Sequence, residues 1–411
     1  MNLEYFIAKR LVTTKNNKSS ISAPIIKIAI AAIAIGMVMM IISVATGIGL
    51  QKKIREKVSA FNGQIIISNF DNNKSEVSQV PISTKQDFYP KFNTVKGISS
   101  IRAVATKAGI IRTEKSFEGI IFKGIGKDFQ WEKIEEYIIE GRKPDLSNKL
   151  NNEILISRYL ANRLDFKLGD KFNTFFMKED GNQMPNLRNF LITGIYDSGF
   201  QEFDATYILG DIRHIQRINK WRSDEVGSFE VFVDDFSKME EKNKEVYEAI
   251  PSTMDTETIE AKFYYIFDWL HLFDFNIIVI LVIMIIVATI NMVVALLVLI
   301  LERTQMIGIL KALGAPNWTV RKIFLYNAFY LIIRGLFWGN LIGVGMILIQ
   351  QTFGIIQLDP ANYYVHQAPV YLSWGYIVAL NIGTIIICLV VLLIPSYIIT
   401  KISPVKAIRF E

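Results

Sequence analysis

Side chains able to do acid–base, nucleophilic or metal chemistry are sparse in this chain and never gather. Its three histidines, His214, His271 and His366, lie far apart, and its one cysteine is Cys388. There is no His-Glu-x-x-His, no Cys-x-x-Cys and no Gly-x-Ser-x-Gly. Those spacings would set two zinc ligands on one helix face, a thiol pair in a turn, or a nucleophile on an elbow. Gly124-Ile-Gly126-Lys127 looks like the end of a phosphate loop, but Ile121 stands where that loop needs its first glycine and Asp128 where it needs a hydroxyl. Asp234-Asp235 and Glu135-Glu136 read as solvated charge on exposed faces. The chain is expected to be no enzyme, to hold no metal and to bind no ATP by a loop of its own. The informative spacing is made for contact. Between Leu301 and Lys322, Met306, Ile307, Leu310 and Leu313 recur at helical intervals, Gly314 follows as a C-cap residue and Pro316 comes just after it. A short amphipathic helix over Thr304–Gly314 is shaped to sit in a partner's groove.

Positioning that helix falls to long apolar elements. Ile28–Gln51, Phe275–Leu301, Gly335–Leu358 and Gln367–Thr400 contain no Asp, Glu, Lys or Arg. About 20 apolar residues cross a bilayer, so each predicts one transmembrane helix. Mean hydropathy is +0.29, and 51% of residues are hydrophobic. The charges are segregated. Residues 1–27 carry Lys9, Arg10, Lys15, Lys18 and Lys27 against Glu4, and 302–322 carry Arg303, Lys311, Arg321 and Lys322 against Glu302. Lys401, Lys406 and Arg409 face Glu411 in the tail, whereas residues 52–274 hold 32 basic and 35 acidic side chains. Short basic flanks stay cytoplasmic and long domains translocate largely regardless of charge. Both termini and the Thr304 helix are therefore expected inside, with the insert outside. The net charge of +6 is that bias summed and does not point to nucleic acid.

The expected class is a membrane α-helical protein of four transmembrane helices, with a large α+β extracytoplasmic domain inserted between the first and second. Boundaries are set at 1–22 (interfacial N-terminal helix), 23–51 (first span), 52–271 (outer domain with stalk), 272–301 (second span) and 302–320 (loop with the short helix). They continue at 321–352 (third span), 353–371 (outer loop), 372–400 (fourth span) and 401–411 (cytoplasmic tail). The first apolar run is too long for the core of a signal peptide, which reads as an uncleaved anchor. With no second cysteine, the outer domain must rest on a hydrophobic core. Strands are predicted at 64–68, 98–104, 109–112, 119–122, 153–156, 171–176, 190–194, 205–209 and 229–233, from Ile, Val, Phe, Tyr and Thr between turn residues. Helices are predicted at 84–94, 157–164, 210–219 and 239–249.

Within the third span, Gly335, Gly339 and Gly343 recur every fourth residue, a seam where a second helix can approach closely. Arg334 precedes it, either as a functional buried charge or as a side chain that snorkels to an interface. Polar residues in the spans are few, Asn291, Asn340 and Asn381 among them, and none is the mid-membrane Asp, Glu or His of a proton relay. Any energy must come from a partner.

The segment Leu301-Glu-Arg-Thr-Gln-Met-Ile-Gly-Ile-Leu-Lys-Ala-Leu-Gly-Ala closely resembles the coupling region of bacterial ABC permeases of the FtsX-like superfamily. Gly47-Ile-Gly-Leu-Gln-Lys-Lys-Ile, Glu140-Gly-Arg, Leu168-Gly-Asp, Ile192-Thr-Gly-Ile-Tyr and Pro404-Val-Lys-Ala-Ile-Arg look alike too, so the resemblance covers essentially the whole length. It is greatest to the lipoprotein-releasing permeases, then to the macrolide-exporter permeases. Those exporters commonly carry an ATPase on the same chain, and this one does not. Gln305 stands where the family often has a second acid, which removes a charge contact there and leaves Glu302 and Lys311 available.

The resemblance implies a mechanotransmitter in the bacterial inner membrane. Two permease chains, identical or paralogous, pair with two cytoplasmic ABC ATPase subunits, which hold the ATP and Mg; this chain holds no cofactor. Glu302, Met306, Ile307, Leu310, Lys311, Leu313 and Gly314 would take up the ATPase stroke. A lipoprotein substrate would enter from the membrane lipids of the outer leaflet and pass to a periplasmic lipoprotein carrier. In one lipoprotein-releasing type, a hairpin docks that carrier. The matching segment here is 177–188, with Met184, Pro185, Leu187 and Arg188 near its tip; without the resemblance it reads as an ordinary mobile loop. Export of a hydrophobic drug or peptide, and regulation of a cell-wall hydrolase, are the competing readings.

Overall fold

The computed structural model describes residues 4, 6, 7, 10, 22–77, 79–114, 116–147, 149–177 and 184–402. Of the expected N-terminal helix, Glu4, Phe6, Ile7 and Arg10 are helical and the rest lies outside the described residues, as do 178–183 and the tail from 403. Among the described residues four helices are long and apolar enough to cross a membrane, with an α/β domain inserted between the first and second. The chain divides into two compact units: a helical unit (up to Gln51, Leu270–Gln357 and from Gln367) and a sheet domain (Lys52–Trp269 with Leu358–His366).

The helical unit is built from α1 (Ser22–Asn62), α2 (Tyr264–Glu302), α3 (Thr304–Ala312), α4 (Asn317–Phe353), α5 (Trp374–Ser396) and α6 (Ile398–Lys401). At 41 residues, α1 is about twice the length a bilayer needs and continues past the charged run Lys52–Lys57 without a break. It donates the inner face of the unit: Ala29, Ile33, Met37, Met40, Ile41 and Ala45 are all buried in one cluster with residues of α2, α4 and α5.

The sheet domain contains β1 (Ile65–Asn69), β2 (Ile82–Ser83), β3 (Ile98–Arg112), β4 (Phe117–Ile125), β5 (Ile138–Gly141) and β6 (Glu153–Ser157). It continues with β7 (Lys171–Phe176), β8 (Asn186–Tyr196), β9 (Tyr207–Asp211), β10 (Glu225–Val226), β11 (Ser228–Val233) and β12 (Met254–Thr258). Ten described strands form one mixed sheet in the order β12-β1-β11-β3-β4-β9-β6-β8-β5, with β7 paired to β3 and β8; β2 and β10 pair apart.

Three expectations change. The strands predicted at 98–104 and 109–112 are one, because β11 pairs the first half of β3 while β4 and β7 pair the second, holding Ala105–Ala108 extended between them. The helix predicted at 84–94 is irregular. Phe88 and Phe92 have helical spacing, yet they stack on each other at 5.5 Å in the core, and Pro90 between them can neither donate to a helix nor let Tyr89 settle in one. Residues 358–366, expected in a plain loop between the third and fourth spans, belong to the sheet domain: Lys57 Nζ donates to the Tyr364 carbonyl at 2.7 Å, and the Tyr364 ring meets Phe200 and Trp269 edge-on.

Candidate functional site

Only Arg303 separates α2 from α3, and the Thr304 hydroxyl donates back to the Ile300 and Leu301 carbonyls, so the short helix leaves the long one without slack. Its far end closes as a Schellman motif. Gly314 N–H donates to the Lys311 carbonyl and Ala315 N–H to Leu310, with Gly314 at φ +91°, a conformation that glycine adopts without strain. Pro316 then precedes the first residue of α4. The nine residues of α3 are thus a rigid link between the second and third long helices.

Which face of α3 is free differs from the sequence expectation. Ile307 and Gly308 are buried, and Met306 and Leu310 pack against the bundle core beside them. Three of the four stripe residues therefore seat on this chain's own helices, because α4 and α6 bring Val320, Phe324 and Ile399 to that side. Leu313 alone of the stripe is exposed, at 80%, and it shares the outer face with Ile309 (47%), Gln305 and Ala312. Ile309 was not among the expected contact residues. Its signal was present in the i, i+4, i+8 series 305, 309, 313, which a search for the most apolar stripe passes over. Glu302 lies on the exposed side, one residue before the link.

Lys311 points inward as well. Its Nζ donates to the carbonyls of Ile399 (2.6 Å), Thr400 (3.3 Å) and Ile402 (2.9 Å), the last turn of the α5–α6 helix. Burial pushes the ammonium below the usual lysine range. Its three donors are spent inward.

The three glycines of α4 lie against α1 in step. A Cβ at Gly335 would stand 2.7 Å from the Ile33 Cβ, one at Gly339 2.6 Å from the Met37 Cβ, and one at Gly343 3.1 Å from Ile41 Cδ1. On another side of α1, a Cβ at Gly47 would collide with Ile277 of α2. Asn340 and Asn381 exchange reciprocal amide hydrogen bonds of 2.8 and 3.0 Å between α4 and α5. Arg334 is exposed on α4 with its guanidinium 4.4 Å from the Tyr330 ring centroid.

In the sheet domain, the last turn of α1 is held by buried ions. Arg102 donates to the Ala60 carbonyl (2.9 Å) and Lys123 to Phe61 (2.5 Å), and both pair with Glu230, at 2.6 and 2.5 Å. Burial alone would raise the Glu230 carboxyl, but the two cations outweigh it and hold it below the usual range. The Lys123 ammonium is pushed down to about 8 by burial, against the pull of Glu230. Sequence alternation puts these three charges on a face that reads as solvated; the end of α1 covers it instead. Of the expected docking loop, Met184 and Leu187 are strongly exposed, Pro185 is exposed, and Leu187 and Arg188 already pair in β8 with Phe175 and Thr174. Beside Met177, Val77, Ile110 and Ile121 line an apolar groove of about 420 Å³.

No group of three or more His, Cys, Asp or Glu side chains among the described residues is placed to hold a metal. Residues 28–249 match the MacB-like periplasmic core domain, and residues 278–404 match the C-terminal region of FtsX-like permeases. The chain is similar to the lipoprotein-releasing system transmembrane protein LolE of Haemophilus influenzae, 21% identical over 421 residues and covering 99% of each chain. It is also similar to LolC of Neisseria meningitidis serogroup B, 23% identical over 439 residues with both chains fully covered. The extracellular domain of the Gram-positive transporter YknZ aligns over 48% of this chain and 100% of that one, with a TM-score of 0.32 and 14% identity.

Proposed function

The chain belongs to the FtsX-like permeases with a MacB-like periplasmic core domain, ABC-transporter permeases of the LolC/LolE type, and on that premise we propose that it is the membrane subunit of a lipoprotein-releasing transporter. A separate cytoplasmic ATPase, in two copies, holds ATP and Mg and drives it; a second permease chain completes the membrane part. Both termini lie in the cytoplasm of a bacterial cell, the spans in the inner membrane and the sheet domain in the periplasm, the orientation favoured by the basic short flanks. Force enters at α3, passes along α2 and α1 into the sheet domain, and moves a lipoprotein from the outer leaflet toward a periplasmic carrier. Work is needed because each buried CH₂ of an acyl chain holds the cargo by about 0.8 kcal/mol.

The observation that carries this reading is the division of α3 into a face sunk in the bundle, at Ile307, and an apolar outer face, at Ile309 and Leu313. A helix that caps itself, turns without slack into two spans and leaves two large apolar residues outside has the form of a partner's docking peg. Ile309→Asp with Leu313→Asp is expected to abolish co-purification of the ATPase. A Leu310→Asp change confounds docking with folding, since Leu310 packs inward. Undiminished capture of the ATPase by the double variant would defeat the proposal. Release of an acylated but not a delipidated cargo from proteoliposomes tests the substrate class, and release of both would favour the exporter reading.

A further inference from the structure

The cytoplasmic end of the fourth span is an interrupted helix. Pro395 lies inside α5 and has no N–H to give, α5 ends at Ser396, and α6 adds a single turn over Ile398–Lys401. The carbonyls of a last helical turn have no partner within the helix and must find donors elsewhere. Two cations from other helices supply them on either side of the break. Arg321 of α4 donates to the Ser396 hydroxyl (3.1 Å) and the Leu393 carbonyl (2.9 Å), and Lys311 of α3 donates to three carbonyls of the final turn. Beneath Lys311, Ile307 of α3 and Ile399 of α6 share the buried apolar cluster. Among the described residues the partners of the Lys311 ammonium are these three carbonyls, whose dipoles face its charge.

We infer that Lys311 is a positioning residue that ties α3 to the last turn of the fourth span, so that any displacement of α3 is imposed on that span as well as on α2 and α4. The inference rests on the reading of α3 as the element that receives force, but the tie itself exists without an ATPase and is measured without one. The geometry favours a joint over a simple plug. Pro395 withholds one hydrogen bond from the last turn of α5, and the backbone link into α6 runs through Tyr397, whose N–H donates to the Ile394 carbonyl and whose carbonyl accepts from Thr400, so the carbonyls of the final turn depend on donors from other helices. An ammonium with three donors is well suited to hold three carbonyls at once.

The test uses the full chain in proteoliposomes without ATPase, with spin labels at positions 305 and 397, both exposed. The native chain is expected to give one narrow distance distribution, Lys311→Met a broad one, and Lys311→Arg a narrow one again, because a guanidinium still reaches the carbonyls. Amide exchange over 398–402 should accelerate by about tenfold or more in Lys311→Met, the scale of losing hydrogen bonds to a charged group, and return toward native in Lys311→Arg. An unchanged distribution and unchanged exchange in Lys311→Met would overturn the inference while leaving the docking face untouched. Loss of ATPase capture by Lys311→Met with native distances would likewise overturn it, by making the lysine a partner contact. Intact distances in all variants alongside failure of the Ile309/Leu313 test would remove both readings separately.

Discussion

The sheet domain and the helical unit treat buried polar groups in opposite ways. In the sheet domain, Arg102, Lys123 and Glu230 enter the core as full charges, with side chains no more than 4% exposed. In the helical unit, the buried polar side chains among the described residues are uncharged: Gln51, Thr289, Asn327, Gln350, Thr384 and Ser396. The difference follows from the solvent each reading places around them. Water drives apolar burial strongly enough to carry a compensated ion cluster inward. Lipid gives no such drive between helices, so spans close through small residues and neutral hydrogen bonds. The two capped helix ends repeat the contrast: α1 ends on a sealed clamp of two cations sharing one carboxylate, whereas α6 ends on one half-buried lysine.

The clamp is where the contrast breaks most visibly. Glu230→Leu strands two buried cations and is expected to destabilise the full chain by about 3–5 kcal/mol in denaturant titration of the sheet-domain signal. Replacing all three, as Arg102→Met, Lys123→Met and Glu230→Leu, restores charge balance but leaves the Ala60 and Phe61 carbonyls without donors. We expect about 1–3 kcal/mol of loss per orphaned carbonyl to remain. Full recovery of stability would show that the cations serve only each other. Gly339→Val drives a side chain into Met37 and the Ala34 carbonyl, 2.9 Å from the new Cβ. A loss of about 1–3 kcal/mol, read as a lower thermal midpoint in bicelles, is the expected scale. A midpoint matching native would mean that the seam is loose.

A smaller effect probes the sheet domain's tolerance for unpaired charge. Burial pushes the Asp204 carboxyl up to about 6, only partly offset by hydrogen bonds from Ser198. A raised acid binds its proton more tightly folded than unfolded, so stability falls as pH rises from about 4 to about 6 and is flat above. The slope cannot exceed about 1.4 kcal/mol per pH unit for one proton. Asp204→Asn should remove that slope, and an unaltered pH profile would assign it to another group. Asn340→Ala is the mildest change, expected to cost about 0.6 kcal/mol. A cost several times larger would show that half-buried amide pairs between spans hold more than the comparison allows.

Much of this was legible along the chain because it depends on spacing alone. Charge-free length gives four spans, and a glycine every fourth residue gives a seam, since both are properties of one helix. The turn at Gly314 is equally local: the motif closes within six residues. What could not be read is which side of a short helix faces inward. Met306, Ile307 and Leu310 look like the better peg until α4 and α6 arrive to cover them, and Ile309 is left outside. Lys311 looks like a solvent-side charge until the turn after Pro395 brings three carbonyls within its reach. Glu230, flanked by Phe229 and Val231 in an alternating strand, reads as solvated until the end of α1 arrives above it. In each case the sequence specifies a side chain's chemistry and its periodic position, while the partner comes from dozens to hundreds of residues away. Packing energy is a property of that pair, and it exists only once the chain has brought the two together.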